Sequence, residues 1–437
     1  MKVIKRITAA LLVMTVMLVA VSCASQDTPQ NTTQSATEST TSGGSTNGVI
    51  KRTDLTAGVI PDMISGKTLT ESDVEKLAEV YVDLFRSTTA KDKKSSLISP
   101  LSIITALGMT ADGAAGNTKA QFEKLFGMTT EQLDAAMNYY YGMLKSSEKA
   151  KFDYANSIWY TSRDDFTVKE SFISRVLGAY YPQLYTVDFT DKKTVDEING
   201  WVKEHTDEMI DKIVNDLDPT TLMVLINALV FDAKWSSPYD EYMVNDGTFT
   251  AYNGEKQTVP MMSSQEHEYI EMTDATGFVK YYEGGDYKFV ALLPDENVDV
   301  FDFVDSLDGK TLIDAIKNAS YSKVNTRMPK FSYDYDISLK ETLVSLGLVD
   351  AFDDFADFTE MFEGGGAYIS DVIHKTHIDV DNAGTKAAAV TAVIMVETTA
   401  FNPEIPKSVV LDRPFVYFIV DSETNLPIFM GIVTEVK

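Results

Sequence analysis

The chain offers little to covalent chemistry: among its 437 residues are one cysteine, Cys23, and four histidines. No HExxH, GxSxG or P-loop occurs, and no Cys/His set has metal-ligand spacing. Zinc hydrolysis, acyl transfer on a nucleophile elbow and phosphate cradling therefore lack their groups. Glu-rich stretches such as that at His267-Glu268 look like solvated surface. No enzyme activity, cofactor or metal is expected. Cys23 points to a different reaction. It closes Ala20-Val21-Ser22-Cys23, which resembles a bacterial lipobox, where small residues precede a cysteine that is diacylated and becomes the new N-terminus. Lys2, Lys5 and Arg6 lead into an apolar run from Ile7 to Val21 that is too short for a stable span. Residues 1–22 thus read as a signal peptide, and Cys23 as a lipid attachment site at the outer face of a bacterial membrane or cell surface. A lone cysteine also fits a nucleophile or a core thiol, but its place against the apolar run favours lipidation. With no second cysteine for a disulfide, an exported domain must be held by its core alone.

After Cys23 the composition changes to Ser, Thr, Gln, Asn and Gly (QNTTQSATESTTSGGSTNG), with too little apolar surface to fold. This gives a lipid-anchored linker at 23–68 and one folded domain at 69–437. The net charge of −27 disfavours nucleic acid and anionic lipid as direct ligands. The membrane is then a partner only through the anchor.

A second kind of chemistry lies near the C-terminus. Residues 385–402 (TKAAAVTAVIMVETTAFN) form eighteen consecutive residues without Gly or Pro, bounded by Gly384 and by Pro403 and Pro406. Alone the segment fits a strand, or a short helix seeded by three alanines. It connects two strands, however, and a connection this long, β-prone and apolar is a liability for edge pairing. It makes sense as a segment held outside a sheet in one state and paired within it in another. Thr385, Ala387, Ala389, Thr391, Val393 and Met395 share one face, with small residues leading; Lys386, Ala388, Val390, Ala392, Ile394 and Val396 share the other. Insertion would stabilise the chain by about 10 kcal/mol, at 1–3 kcal/mol per apolar side chain plus ladder hydrogen bonds. That rivals the whole stability of a domain, about 5–15 kcal/mol, so the uninserted form is kept by kinetics.

The elements that must position this segment are legible in pattern. Thr70 with Asp73 makes a capping box for a helix carrying Val74, Leu77, Tyr81 and Phe85. Ser99 caps a second helix whose first position is Pro100. A third is expected from Thr118, boxed with Gln121, to Gly127; Val195, Ile198, Trp201 and Val202 mark another. Ser338 with Glu341 opens one more, ending at Gly347. Thr221 to Phe231 is almost wholly apolar, the pattern of a strand covered on both faces or of a buried helix. From Val372 to Val380 apolar and polar residues alternate, a half-buried strand. Two β-prone runs, Val416 to Val420 and Ile428 to Val433, close the chain. The fold class is α+β, with large mixed sheets.

Over nearly the whole of residues 70–437 the sequence resembles the serpin superfamily. The resemblance rests on Ser99-Pro100-Leu101-Ser102 leading to Ala106-Leu107, Asn227-Ala228 to Trp235, Met328-Pro329-Lys330-Phe331, His374-Lys375, Gly384-Thr385, Arg413-Pro414-Phe415 and Phe429-Met430-Gly431, in order and at matching spacing. It implies the serpin fold, with helices around large mixed sheets and an exposed reactive-centre loop that inserts as a strand. It implies a shutter at Ser99, Ser102, Asn227 and His374, and a breach at Trp235, Lys330 and Asn382. It implies a hinge at Gly384, Thr385, Lys386, Ala387, Ala388, Ala389 and Val390. Counting from the hinge puts the reactive bond at Thr398-Thr399, with Met395, Glu397 and Phe401 as alternatives. The function implied is inhibition of a serine protease by covalent trapping, elastase-like or subtilisin-like enzymes being favoured and a cysteine protease the alternative, by a monomer. A non-inhibitory surface binding or adhesion module is the rival reading. Departures from the family pattern are Ser95 for Asn, residues 206–210 (TDEMI) for a Gly-Lys pair, and Asn382 for a hinge Glu facing Lys330. The last removes an ion pair worth about 0–1 kcal/mol.

Overall fold

The computed structural model describes residues 52–64, 69–90, 93–144, 146–206, 208, 210–363, 366–385 and 405–436. Among them the helices are α1 (Glu71–Thr89), α2 (Pro100–Ala111), α3 (Gly116–Phe126), α4 (Thr130–Met143), α5 (Glu170–Tyr180), α6 (Lys193–His205), α7 (Val300–Ser306), α8 (Gly309–Lys317) and α9 (Lys340–Ser345). The strands are β1 (Thr53–Asp54), β2 (Ser96–Ile98), β3 (Ala150–Thr161), β4 (Thr167–Val168), β5 (Gln183–Val187), β6 (Met223–Lys234), β7 (Val244–Thr250), β8 (Lys256–Glu271) and β9 (Ala275–Tyr281), followed by β10 (Tyr287–Pro294), β11 (Ser320–Pro329), β12 (Phe331–Ser338), β13 (Phe362–Glu363), β14 (Ile373–Val380), β15 (Gly384–Thr385), β16 (Lys407–Val410), β17 (Phe415–Asp421) and β18 (Pro427–Val433). One sheet runs β1-β5-β3-β6-β15-β14-β12; a second runs β16-β11-β8-β9-β10-β17-β18-β2, with β7 paired to β8; β13 and β4 make a small third. This is the α+β architecture expected.

Local chemistry accounts for the helix starts that the sequence announces. Thr70 and Asp73 exchange side-chain bonds with each other's backbone at the head of α1. Ser99 accepts from the Ser102 amide at the head of α2, every residue of which is buried. Two expected caps are absent. α3 starts at Gly116 with Ala115 at its cap, because Thr118 accepts from the Asp357 amide and Gln121 from those of Val349 and Asp350. Ser338 donates to Asp371 instead of capping α9. In each case a distant segment needed the same polar group.

β6 is covered on both faces, as its continuous apolar run requires. Leu225, Phe231 and Ala233 join the main core, while Ile226 joins a smaller one with Trp159, Ile198, Trp201 and Val202 beneath α6. β14 alternates as expected, with His374, Thr376, Ile378 and Val380 buried and the residues between them partly exposed.

The linker is shorter than its composition suggests. Residues 52–64, assigned to it above, lie on the folded unit. Thr53 and Asp54 pair with β5, Leu55, Val59 and Ile64 pack on the core, and Arg52 bridges Glu197 at 3.0 Å. The Asp62 amide donates to the Ser174 carbonyl, and a Cβ on Gly178 would come within 2.2 Å of the Asp62 carbonyl oxygen. Five scattered large apolar residues, Leu55, Val59, Ile60, Met63 and Ile64, interrupted by Gly58 and Pro61, carry no periodicity, so pattern reading leaves them as tether.

Candidate functional site

The site is the gap between β6 and β14, which the chain has begun to fill. After β14 a tight turn is held by Asp381, whose carboxylate accepts from the amides of Ala383 and Gly384 at 2.7 and 3.1 Å. The turn sends Gly384 and Thr385 back between the two strands as β15, with Gly384 opposite Lys234, Thr385 opposite Ala233, and Val380 opposite Thr385. Only glycine fits the first position, since a Cβ there would lie 2.1 Å from the Ala233 carbonyl oxygen. Thr385 is buried and its hydroxyl meets that of Tyr282 at 2.7 Å. The two leading hinge residues are thus already strand.

Trp235 stands at this entrance. Its amide donates to the Ala383 carbonyl, its indole N–H to the Asp381 carbonyl at 2.9 Å, and its ring stacks on Tyr282 at 4.6 Å. The Tyr239 amide donates to the Asn382 carbonyl. The ion pair that Asn382 removes is replaced by a hydrogen bond: Lys330 Nζ donates to Asn382 Oδ1 at 2.7 Å. An amide oxygen there keeps the cation coordinated without a second charge to desolvate.

Lower down, Ser99, Ser102 and His374 converge. The Ser99 amide donates to His374 Nε2 at 3.0 Å, which leaves that nitrogen unprotonated. Burial holds the imidazole pKa down at about 4, so it is neutral at physiological pH. This hydrogen bond ties β14 to the head of α2. The Asn227 backbone pairs with Asn156, whose amide group donates to the Tyr180 carbonyl. The side chain of Asn227 lies outside the described residues, as do Cys23, Lys386, Ala387, Ala388, Ala389 and Val390 and the expected reactive bond at Thr398-Thr399 with its alternatives Met395, Glu397 and Phe401.

Pattern reading missed Asp381, Tyr282, Thr376 and Asn156. Thr376 donates to the Leu97 carbonyl from the buried face of β14. The signal available for it was its place in the alternating strand. Asn156, a polar residue within the strand stretch NSIWY, is an equivalent flag. Among the described residues no group of three or more His, Cys, Asp or Glu is placed to hold a metal, and no helix is long and apolar enough to cross a membrane.

A sheet opened at one end, closed by a histidine and serine cluster beneath, and preceding a long β-prone connection defines a class. The match described as serpin (serine protease inhibitor) spans residues 75–436, and the chain belongs to the serpin family. It is 33% identical over 358 residues to an uncharacterised serpin-like protein of Thermococcus kodakarensis, covering 80% of this chain and 82% of that one. It is 31% identical to Iripin-5 of Ixodes ricinus, covering 81% and 92%. Among solved structures, the thermophilic serpin tengpin in its native state is 42% identical with a TM-score of 0.83, over 89% of this chain and all of that one. Tengpin in its latent state is 40% identical with a TM-score of 0.75, over 85% and 100%. Members of the family are in general protease inhibitors.

Proposed function

We propose that this protein is a secreted, lipid-anchored inhibitor of serine endopeptidases that traps its target by inserting its own cleaved loop. The observation that carries the reading is the register of β15. Continued antiparallel down β6, it brings Met395 level with Met223 at the last rung and Thr398 three residues beyond. A strand inserted to that depth fills the gap and leaves the reactive bond just past the sheet. In the same register Ala387 and Val393 lie opposite Phe231 and Leu225 of the main core, whereas Ala392 and Ile394 lie opposite Ile226 and Val224 beneath α6. Both faces of the loop then become buried, and the small residues lead.

In the mechanism, the protease serine Oγ attacks the Thr398 carbonyl carbon and an acyl-enzyme forms as the Thr399 amine leaves. Insertion of 386–395 then carries the tethered protease along the sheet. Distortion of its oxyanion hole and triad slows attack by water, so the ester persists. A threonine at the cleaved bond suits small or medium specificity pockets, of the elastase-like or subtilisin-like kind. Cys23, diacylated and then made the new N-terminus by removal of residues 1–22, holds the domain at the outer face of the cell membrane. That the relative tengpin has been solved in both a native and a latent state supports two long-lived arrangements of such a chain. The test is incubation with a panel of endopeptidases. A complex stable in denaturing gels, with a released peptide beginning at Thr399, is the expected result. Cleaved monomer alone with every protease favours the non-inhibitory binding module instead.

A further inference from the structure

Lys280, the penultimate residue of β9, carries a buried charge at the entrance. Its side chain is 1% exposed, and Nζ reaches Glu266 Oε1 at 2.8 Å and the Ser237 carbonyl at 3.0 Å. It also lies over the ring of Tyr239 at 4.4 Å and that of Trp235 at 5.6 Å. Burial pulls its pKa down, but Tyr239 and Glu266 outweigh burial and leave it above the ordinary lysine value. Removing either partner of such a pair leaves the other charge buried and uncompensated, so the pair commits β8, β9 and segment 235–239 to one arrangement.

What the ammonium holds defines that arrangement. The segment 235–239 makes the hydrogen bonds that fix the turn before β15: the Trp235 amide to Ala383, the Trp235 indole to Asp381, and the Tyr239 amide to Asn382. Lys280 binds this segment at its central carbonyl and under both of its rings. Glu266 anchors the ammonium from β8, and Ser264, bonded to both Glu266 and Thr326, fixes the carboxylate. The chain of contacts thus runs from the second sheet through Lys280 to the first two inserted residues. The geometry points to Lys280, with Glu266, as a positioning residue for loop insertion: it latches segment 235–239 against the turn, so that β15 stays paired and the cleaved loop zips from an existing end.

This rests on the inhibitory reading given above. A latch acts after attack on the loop, in the competition between insertion and hydrolysis of the acyl-enzyme. The experiment measures two quantities for wild type, Lys280→Met, Lys280→Met with Glu266→Gln, and Lys280→Arg. These are the second-order rate of attack by a protease that wild type traps, and the number of inhibitor molecules consumed per protease trapped. The double variant leaves no unpaired buried charge and keeps the test alive if the single one does not fold. Expected is an unchanged attack rate, with the number of inhibitor molecules consumed in excess of one per protease trapped raised about tenfold, the equivalent of one net hydrogen bond in the insertion barrier. Lys280→Arg should restore most of the trapping. A lowered melting temperature with an unchanged consumption ratio in the variants overturns the latch and leaves Lys280 a structural residue. Absence of any complex with wild type overturns the inhibitory reading instead.

Discussion

Acid should loosen the shutter through His374. Its native pKa of about 4 lies below the ordinary 6.5 because the imidazole is buried, and the Ser99 amide donates to its Nε2 at 3.0 Å. A proton on Nε2 would set two donors against each other in a dry site. The native state therefore prefers the neutral ring, while the unfolded chain takes up the proton near pH 6.5. Stability from this group is complete above that pH, falls as pH drops through the window to about 4, and is lost below it. The slope is about 1.4 kcal/mol per pH unit and the full loss about 3 kcal/mol. Asp112 and Asp134, whose carboxyls are raised by burial, have the opposite sign and gain stability as pH falls. They are common to wild type and a His374→Gln variant and cancel in the difference. Urea titrations of the intact domain between pH 7.5 and 4, followed by tryptophan fluorescence, measure it. The wild-type curve should fall relative to the variant by about 3 kcal/mol across the window. Parallel curves would refute the reasoning.

Three substitutions probe the rest. Thr391→Arg puts a charge on the face of the loop that the β15 register aims at the core, so it should convert the inhibitor into a substrate: cleavage at the normal rate, no complex on gels. Gly384→Val collides with the Ala233 carbonyl, should undo β15, and should cut trapping about tenfold or more for two lost rungs; loss of protection at the Thr385 amide by hydrogen exchange is the check. Gly178→Val would displace Asp62 and free residues 60–64 from α5. This should cost about 1–3 kcal/mol, read as a lower urea midpoint with new proteolysis near residue 62.

The parts of this fold legible in sequence are those where one local pattern decides. β14 alternates because one face is dry, β6 is apolar throughout because both faces are covered, and Ser99 and Thr70 cap their helices through bonds spanning three residues. Trp235 lies against the turn before β15, and His374 lies on the buried face of β14. What escaped was decided by distant partners. Thr118 and Gln121 look like a capping box until segments 349–357 claim their oxygens. Lys280 has no signal in the local pattern, since its burial is decided by the approach of Glu266, Ser237 and Tyr239. Asn382 reads as a lost ion pair, whereas the lysine opposite accepts it as a hydrogen-bond partner. Residues 52–64 pass for tether because their apolar groups are few and each finds its own niche.

The central claim is that 386–395 becomes a strand once the loop is cut, and one sample tests it: the domain nicked at the reactive bond, compared with the intact protein. Burial of that strand, worth about 10 kcal/mol, should raise the melting temperature by about 13 °C, with the amides of 386–395 turning from fast to slow hydrogen exchange. A nicked protein that melts with the intact one, its loop amides still exchanging at solvent rates, contradicts the account.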